Sequence, residues 1–112
     1  MTLQNPKISD DAYLDSVIKL YIQLPDTPVK PSPNDRITAA SFISAGFPLH
    51  IVENALLLAS VRRLTRSPDA PQLPPVRSLA YFTPVIRELS DSPLPDGYRD
   101  YLLHKINRLT HR

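Results

Sequence analysis

The chain contains no cysteine. That removes disulfides, thiolate nucleophiles and cysteine-bearing zinc sites together. Glycine is nearly as scarce, with 2 residues against 13 prolines. Sheet hairpins need residues that accept positive φ at tight turns, and phosphate-cradling loops need clustered glycines. Gly46 and Gly97 each stand alone, which argues against both. No stretch approaches the roughly 18 consecutive apolar residues of a membrane span. Residues 1–7 also lack the apolar run of a secretion signal, so a cytoplasmic location without a membrane partner is expected. The histidines, His50, His104 and His111, belong to no nucleophile motif, and no Gly-x-Ser-x-Gly elbow occurs. His104 and His111 would lie about two helical turns apart, too far to share a metal without further ligands. No catalytic residue, metal or cofactor is expected.

What the chain does contain is enough apolar material for one core. Its 112 residues are 42% hydrophobic and 21% charged, far from the composition that leaves a chain disordered. A single domain over residues 1–112 is expected, with residues 1–8 as an extended or disordered tail. Prolines suit first helical turns and extended linkers. The fold class expected is therefore all-α, a compact orthogonal bundle of about five helices joined by proline-rich connectors.

The apolar spacing places these helices. Leu14, Val17, Ile18, Tyr21 and Leu24 predict a helix over residues 10–24 with Ser9 as N-cap, and Asp10 and Asp11 favour its positive end. Ser32-Pro33-Asn34-Asp35 combines a cap, a first-turn proline and an acid three residues after the cap. The helix it opens presents Ile37, Ala40, Phe42 and Ile43, and Gly46 suits its left-handed closure. A third helix over 48–65 carries Ile51, Val52, Ala55, Leu56, Leu58, Ala59 and Val61 around more than half of its circumference. It should be the central, most buried element. The short corner before it resembles a helix-turn-helix, though such corners are common as packing units. Ser67 to Pro75 holds four prolines in nine residues and should be a stiff, extended strap. A fourth helix over 79–89 turns Leu79, Phe82, Val85, Ile86 and Leu89 inward. Its Pro84 leaves either one kinked helix, the preferred reading, or a single turn followed by a new start capped by Thr83. The last helix begins near Pro95 or Asp96, with Tyr98, Tyr101, Leu102, Ile106 and Leu109 on one face and a basic outer face.

Charge is unevenly divided along the chain. Residues 1–61 hold four bases and six acids, net −2, and residues 62–112 hold nine bases and five acids, net +4. Such asymmetry permits an anionic partner without requiring one. Arg62, Arg63 and Arg66 crowd the end of the third helix, where the helix dipole already stabilises cations. Aromatic rings beside cations are the usual means of holding single-stranded nucleic acid, and they are equally the components of an ordinary core and rim. Tyr81 is the better candidate for an exposed ring and Phe82 for a buried one.

Phe42-Ile43-Ser44-Ala45-Gly46-Phe47-Pro48-Leu49-His50-Ile51-Val52-Glu53-Asn54-Ala55, followed by Tyr81-Phe82-Thr83-Pro84-Val85-Ile86-Arg87-Glu88-Leu89, resembles the DnaD-type module of bacterial replication-initiation proteins. The similarity covers residues 32–89. In that family a glycine-ended helix leads into an apolar-x-x-Ala helix, and a later Tyr-x-x-x-Ile-x-x-x-Trp helix is associated with DNA binding and primosome assembly. Tyr81, Val85 and Leu89 occupy that frame here, with leucine where the family has tryptophan. The chain is also similar to the C-terminal helical part of plasmid and mobile-element replication initiators. What the resemblance implies is a non-enzymatic accessory in DNA replication initiation or mobile-element maintenance.

Two functions are therefore carried forward. In the first, Arg62, Arg63, Arg66, Tyr81, Arg99, Lys105 and Arg108 form a phosphate-binding and stacking surface, with single- or double-stranded DNA or a replication protein as partner. In the second, Tyr98, Tyr101, Leu102, Ile106 and Leu109 form an interface for another protein or for a homodimer, without nucleic-acid binding.

Overall fold

A computed structural model describes residues 9–110, so the expected N-terminal tail, His111 and Arg112 lie outside the described residues. Those residues form an all-α bundle: α1 Asp10–Gln23, α2 Pro33–Ser44, α3 Leu49–Leu64, a 3-10 turn Leu79–Phe82, α4 Thr83–Asp91 and α5 Tyr98–Thr110. No helix among them is long and apolar enough to cross a membrane.

Local chemistry explains most boundaries. The Ser9 side chain accepts from the Ala12 N–H and caps α1. Proline at 25 prevents further helix, and the Thr27 hydroxyl donates to the Tyr21 and Leu24 carbonyls at 2.7 Å each. At α2 the capping box is complete, with Ser32 and Asp35 exchanging side-chain and backbone hydrogen bonds. Gly46 closes α2 at φ 82°. The Gly46 N–H reaches the Ile43 carbonyl and the Phe47 N–H reaches the Phe42 carbonyl, the two bonds of a Schellman closure. Phe47 also packs edge-on against Phe42, with ring centroids 6.3 Å apart.

Helix α3 is the centre of the bundle, packing against α1, α4 and α5. Ile51, Val52, Ala55, Leu56, Ala59 and Val61 are buried as expected; Leu57 is fully buried too, and Leu58 is the half-buried one. Three expectations change. Ile37 is 67% exposed and Ala40 is exposed; α2 instead turns Asp35, Ala39 and Phe42 inward, an i, i+4, i+7 face that contains a carboxylate. The segment around Pro84 is not one kinked α-helix. A 3-10 turn ends at Phe82 and α4 starts at Thr83, so the proline sits in a first turn where its missing N–H costs nothing. Thr83 is itself helical at φ −54° and ψ −44° and is not the cap. Finally, α5 begins at Tyr98, because Gly97 at φ 84° holds a left-handed turn that a helix from Pro95 would not allow.

Polar groups are sealed into this core, Asp35 and Tyr21 most completely. Asp35 is 1% exposed, and its carboxylate accepts from the Ser32 N–H at 2.9 Å and the Leu79 N–H at 3.0 Å, joining α2 to the 3-10 turn. Tyr21 is fully buried against the edge of Phe82, and its hydroxyl has no partner among the described residues. Burial, aided by the Asp35 charge, pushes the Tyr21 hydroxyl up to about 12. Tyr13, which donates to the Phe47 carbonyl at 2.7 Å, is likewise raised to about 12 by burial and then by Glu53. Both folded values lie above the ordinary tyrosine value near 10. The unfolded chain therefore loses these protons first, and the stability tied to them is intact below pH ~10 and lost as pH rises to ~12. Helical circular dichroism and absorbance at 295 nm, followed together, should show two tyrosines ionising with loss of helix. Ionisation of all the tyrosines well before any loss of helix would contradict this.

Candidate functional site

Two stretches of the chain meet at the C-terminal end of α3. Arg62 and Arg63 lie in its last turn, Arg66 follows just beyond it, and Tyr81 arrives from the 3-10 turn. Together they rim an open cleft of about 340 Å³ floored by Ala59, Leu73, Pro84 and Val85. A second cleft of about 550 Å³ lies against Pro25, Asp26, Ser60 and Gln72 and shares Arg63, Arg66 and Leu73 with the first. The strap that carries Leu73 thus runs between them.

The arginines differ in how firmly they are held. Arg62 forms a two-pronged pair with Glu88, at 2.9 and 2.7 Å, with both side chains about half exposed. The hydrogen bond between them raises the Arg62 pKa and lowers that of Glu88. Arg63 has a side chain only 10% exposed. It donates to Asp26 at 2.6 Å, to the Pro74 carbonyl at 2.9 Å and to the Tyr81 hydroxyl at 3.1 Å, and its guanidinium sits 5.3 Å from the Tyr81 ring centre. Burial disfavours its charge, yet the bonds from Tyr81 and Asp26 outweigh burial and its pKa is raised. Arg66 donates to the Pro71 carbonyl at 2.9 Å and is otherwise exposed. Tyr81 is 45% exposed and meets the edge of Phe82 at 5.2 Å.

Comparison with family models, with curated proteins and with solved structures finds no match. The site is therefore read from its own chemistry. Among the described residues no group of three or more His, Cys, Asp or Glu is placed to hold a metal.

The remaining cations expected at this surface are elsewhere. Arg99 pairs with Glu53 at 3.1 Å, and Glu53 is nine residues before Arg62 on α3, about 13 Å along the helix axis. Glu53 also accepts from the Ser16 hydroxyl at 2.8 Å, so it ties α1, α3 and α5 together. Lys105 stays on its own helix, 5.6 Å from the Tyr101 ring centre and 3.3 Å from its hydroxyl. Arg108 is exposed in the last turn of α5. The alternative interface is also largely occupied within the fold. Leu102 is 1% exposed, Tyr98 and Ile106 pack on the core, and Leu109 is half-buried. Tyr101 and Leu103 remain exposed on α5.

Sequence reasoning missed the acids that matter here. Asp26 and Glu53, in the acidic half, neutralise Arg63 and Arg99 in the basic half. The only local hint was the proline-rich strap, whose carbonyls have few backbone donors nearby and so attract arginines. Asp26 has φ 65°, a left-handed conformation that aspartate tolerates better than most residues.

Proposed function

We propose that the chain is a non-enzymatic module that binds nucleic acid at the arginine-rimmed cleft. The observation that carries this reading is the convergence of Arg62, Arg63 and Arg66, at the end of α3, with Tyr81 of the 3-10 turn around one apolar floor. An exposed ring over an apolar floor suits a nucleobase, and the flanking guanidinium groups suit its phosphates. The roles divide by exposure. Arg62, about half exposed, can exchange the Glu88 carboxylate for a phosphate, which offers its guanidinium the same two-pronged geometry. Arg66 donates only to a carbonyl and offers its remaining donors. Arg63 is the brace that orients Tyr81. The resemblance of residues 32–89 to the DnaD-type module supports a role in replication initiation or mobile-element maintenance in the cytoplasm, with DNA or a replication protein as partner.

Fluorescence anisotropy with labelled single- and double-stranded oligonucleotides, across a salt series, tests the reading. Affinity should fall linearly with salt on logarithmic axes, and Arg66→Ala should make that slope shallower by about one. Tyr81→Ala should weaken single-strand binding by about tenfold. A second reading, a protein or homodimer interface, is favoured by the exposed Tyr101 and Leu103 on α5. Absence of oligonucleotide binding at low salt, together with a dimer that Leu103→Glu dissolves, would decide for it.

A further inference from the structure

The strap between α3 and the 3-10 turn has a periodicity of its own. Within its extended stretch, residues 71–78, Leu73 is half-buried and Val76 is buried, whereas Pro71, Gln72, Pro74, Pro75 and Arg77 are exposed. Burial at every third residue is the repeat neither of an α-helix nor of a strand; it is that of a polyproline II helix, with three residues per turn. Such a helix makes no internal hydrogen bonds, so its backbone must be satisfied from outside. Here Arg66 donates to the Pro71 carbonyl, Arg63 donates to the Pro74 carbonyl, and the Val76 N–H donates to the Asp26 carbonyl, each at 2.9 Å. These bonds fasten one edge of a three-edged prism to the bundle. The two outward edges carry Pro71, Pro74 and Arg77 on one side and Gln72 and Pro75 on the other.

We propose that this strap is a preformed polyproline II recognition element, and that its two outward edges dock into the aromatic-lined groove of a partner protein bearing a carboxylate opposite Arg77. Grooves of this type take proline rings spaced three apart along an extended segment, which Pro71 and Pro74 supply. Three of the five outward positions are proline, a composition that solvation of a connector does not require. The exposed Arg77 at the end of the Pro71 edge supplies the charge that fixes direction along the groove. Because the inward bonds already hold the backbone, docking orders little that was free. The proposal does not rest on nucleic-acid binding, although Arg63 and Arg66 of that cleft also hold the strap's inner side.

The test titrates the full chain with recombinant SH3, WW and EVH1 domains, followed by calorimetry and by the amide shifts of Gln72, Leu73, Val76 and Arg77. At least one domain class should bind, with shifts centred on the strap. Arg77→Glu and Pro75→Ala, both at exposed positions, should each weaken that binding by about tenfold, while Lys19→Ala, exposed on α1, leaves it unchanged. A synthetic peptide of residues 69–78 should bind about tenfold more weakly than the folded chain, since it has yet to be ordered. Failure of all three classes to bind, binding indifferent to Arg77→Glu and Pro75→Ala, or a peptide as tight as the chain would each overturn the proposal. Circular dichroism of each variant separates lost binding from lost fold.

Discussion

Replacing Asp35 by alanine should lower the free energy of unfolding by about 3 kcal/mol, since hydrogen bonds to a charged group contribute about 1.5–3 kcal/mol each. In a chain of this length that corresponds to a fall of roughly 15 °C in the thermal midpoint. Alanine removes the second half of the capping box on α2 and leaves the Leu79 N–H buried without its acceptor. Asparagine is informative because both neighbours of the carboxylate are donors. One of its two oxygens becomes an NH2 group facing either the Ser32 or the Leu79 N–H, so Asp35→Asn should lose more than half of what alanine loses. Urea unfolding followed by circular dichroism measures both, with the denaturant slope unchanged if only stability moves. A loss under about 1 kcal/mol for alanine would show that the buried carboxylate does not join α2 to the 3-10 turn energetically.

The second large effect is expected at Arg63. Alanine there should cost about 2–3 kcal/mol, because it leaves the Pro74 carbonyl and Asp26 without their donor and opens a gap beneath the strap. Lysine should restore less than half, since one ammonium cannot reproduce a planar fork that reaches Asp26, Pro74 and Tyr81 at once. The strap reports the change directly. The Val76 N–H, bonded to the Asp26 carbonyl at 2.9 Å, should exchange with solvent faster in Arg63→Ala than in the parent. Unaltered Val76 exchange would mean that the prolines alone hold the strap, and that the arginine is dispensable to it.

How much of this was legible beforehand depended on distance along the chain. The caps at Ser9 and Ser32 and the closure at Gly46 involve residues within a few positions of one another, and each was read from local chemistry. The inward face of α2 was misread because hydrophobic periodicity looks for apolar side chains, and the buried face begins with a carboxylate. Ile37 fitted the apolar pattern and yet faces outward. At the candidate site, Arg62, Arg63, Arg66 and Tyr81 stand together as their charge and aromatic character suggest, whereas Arg99 is tied to Glu53 at the other end of α3.

The sequence by itself determined the fold class, the order of the helices, the central place of α3 and the stiff strap, because capping, proline geometry and apolar spacing all act over a few residues. The tertiary structure alone decided which charges remain available. Asp26 reaches Arg63 and Glu53 reaches Arg99 across the two halves of the chain, so the net charges of −2 and +4 do not survive as separate acidic and basic surfaces. Pairing between residues 37 and 46 positions apart is set by how the helices pack, and no local pattern encodes it. Two of the bases at the end of α3, Arg63 and Arg66, therefore serve as fastenings for the proline strap.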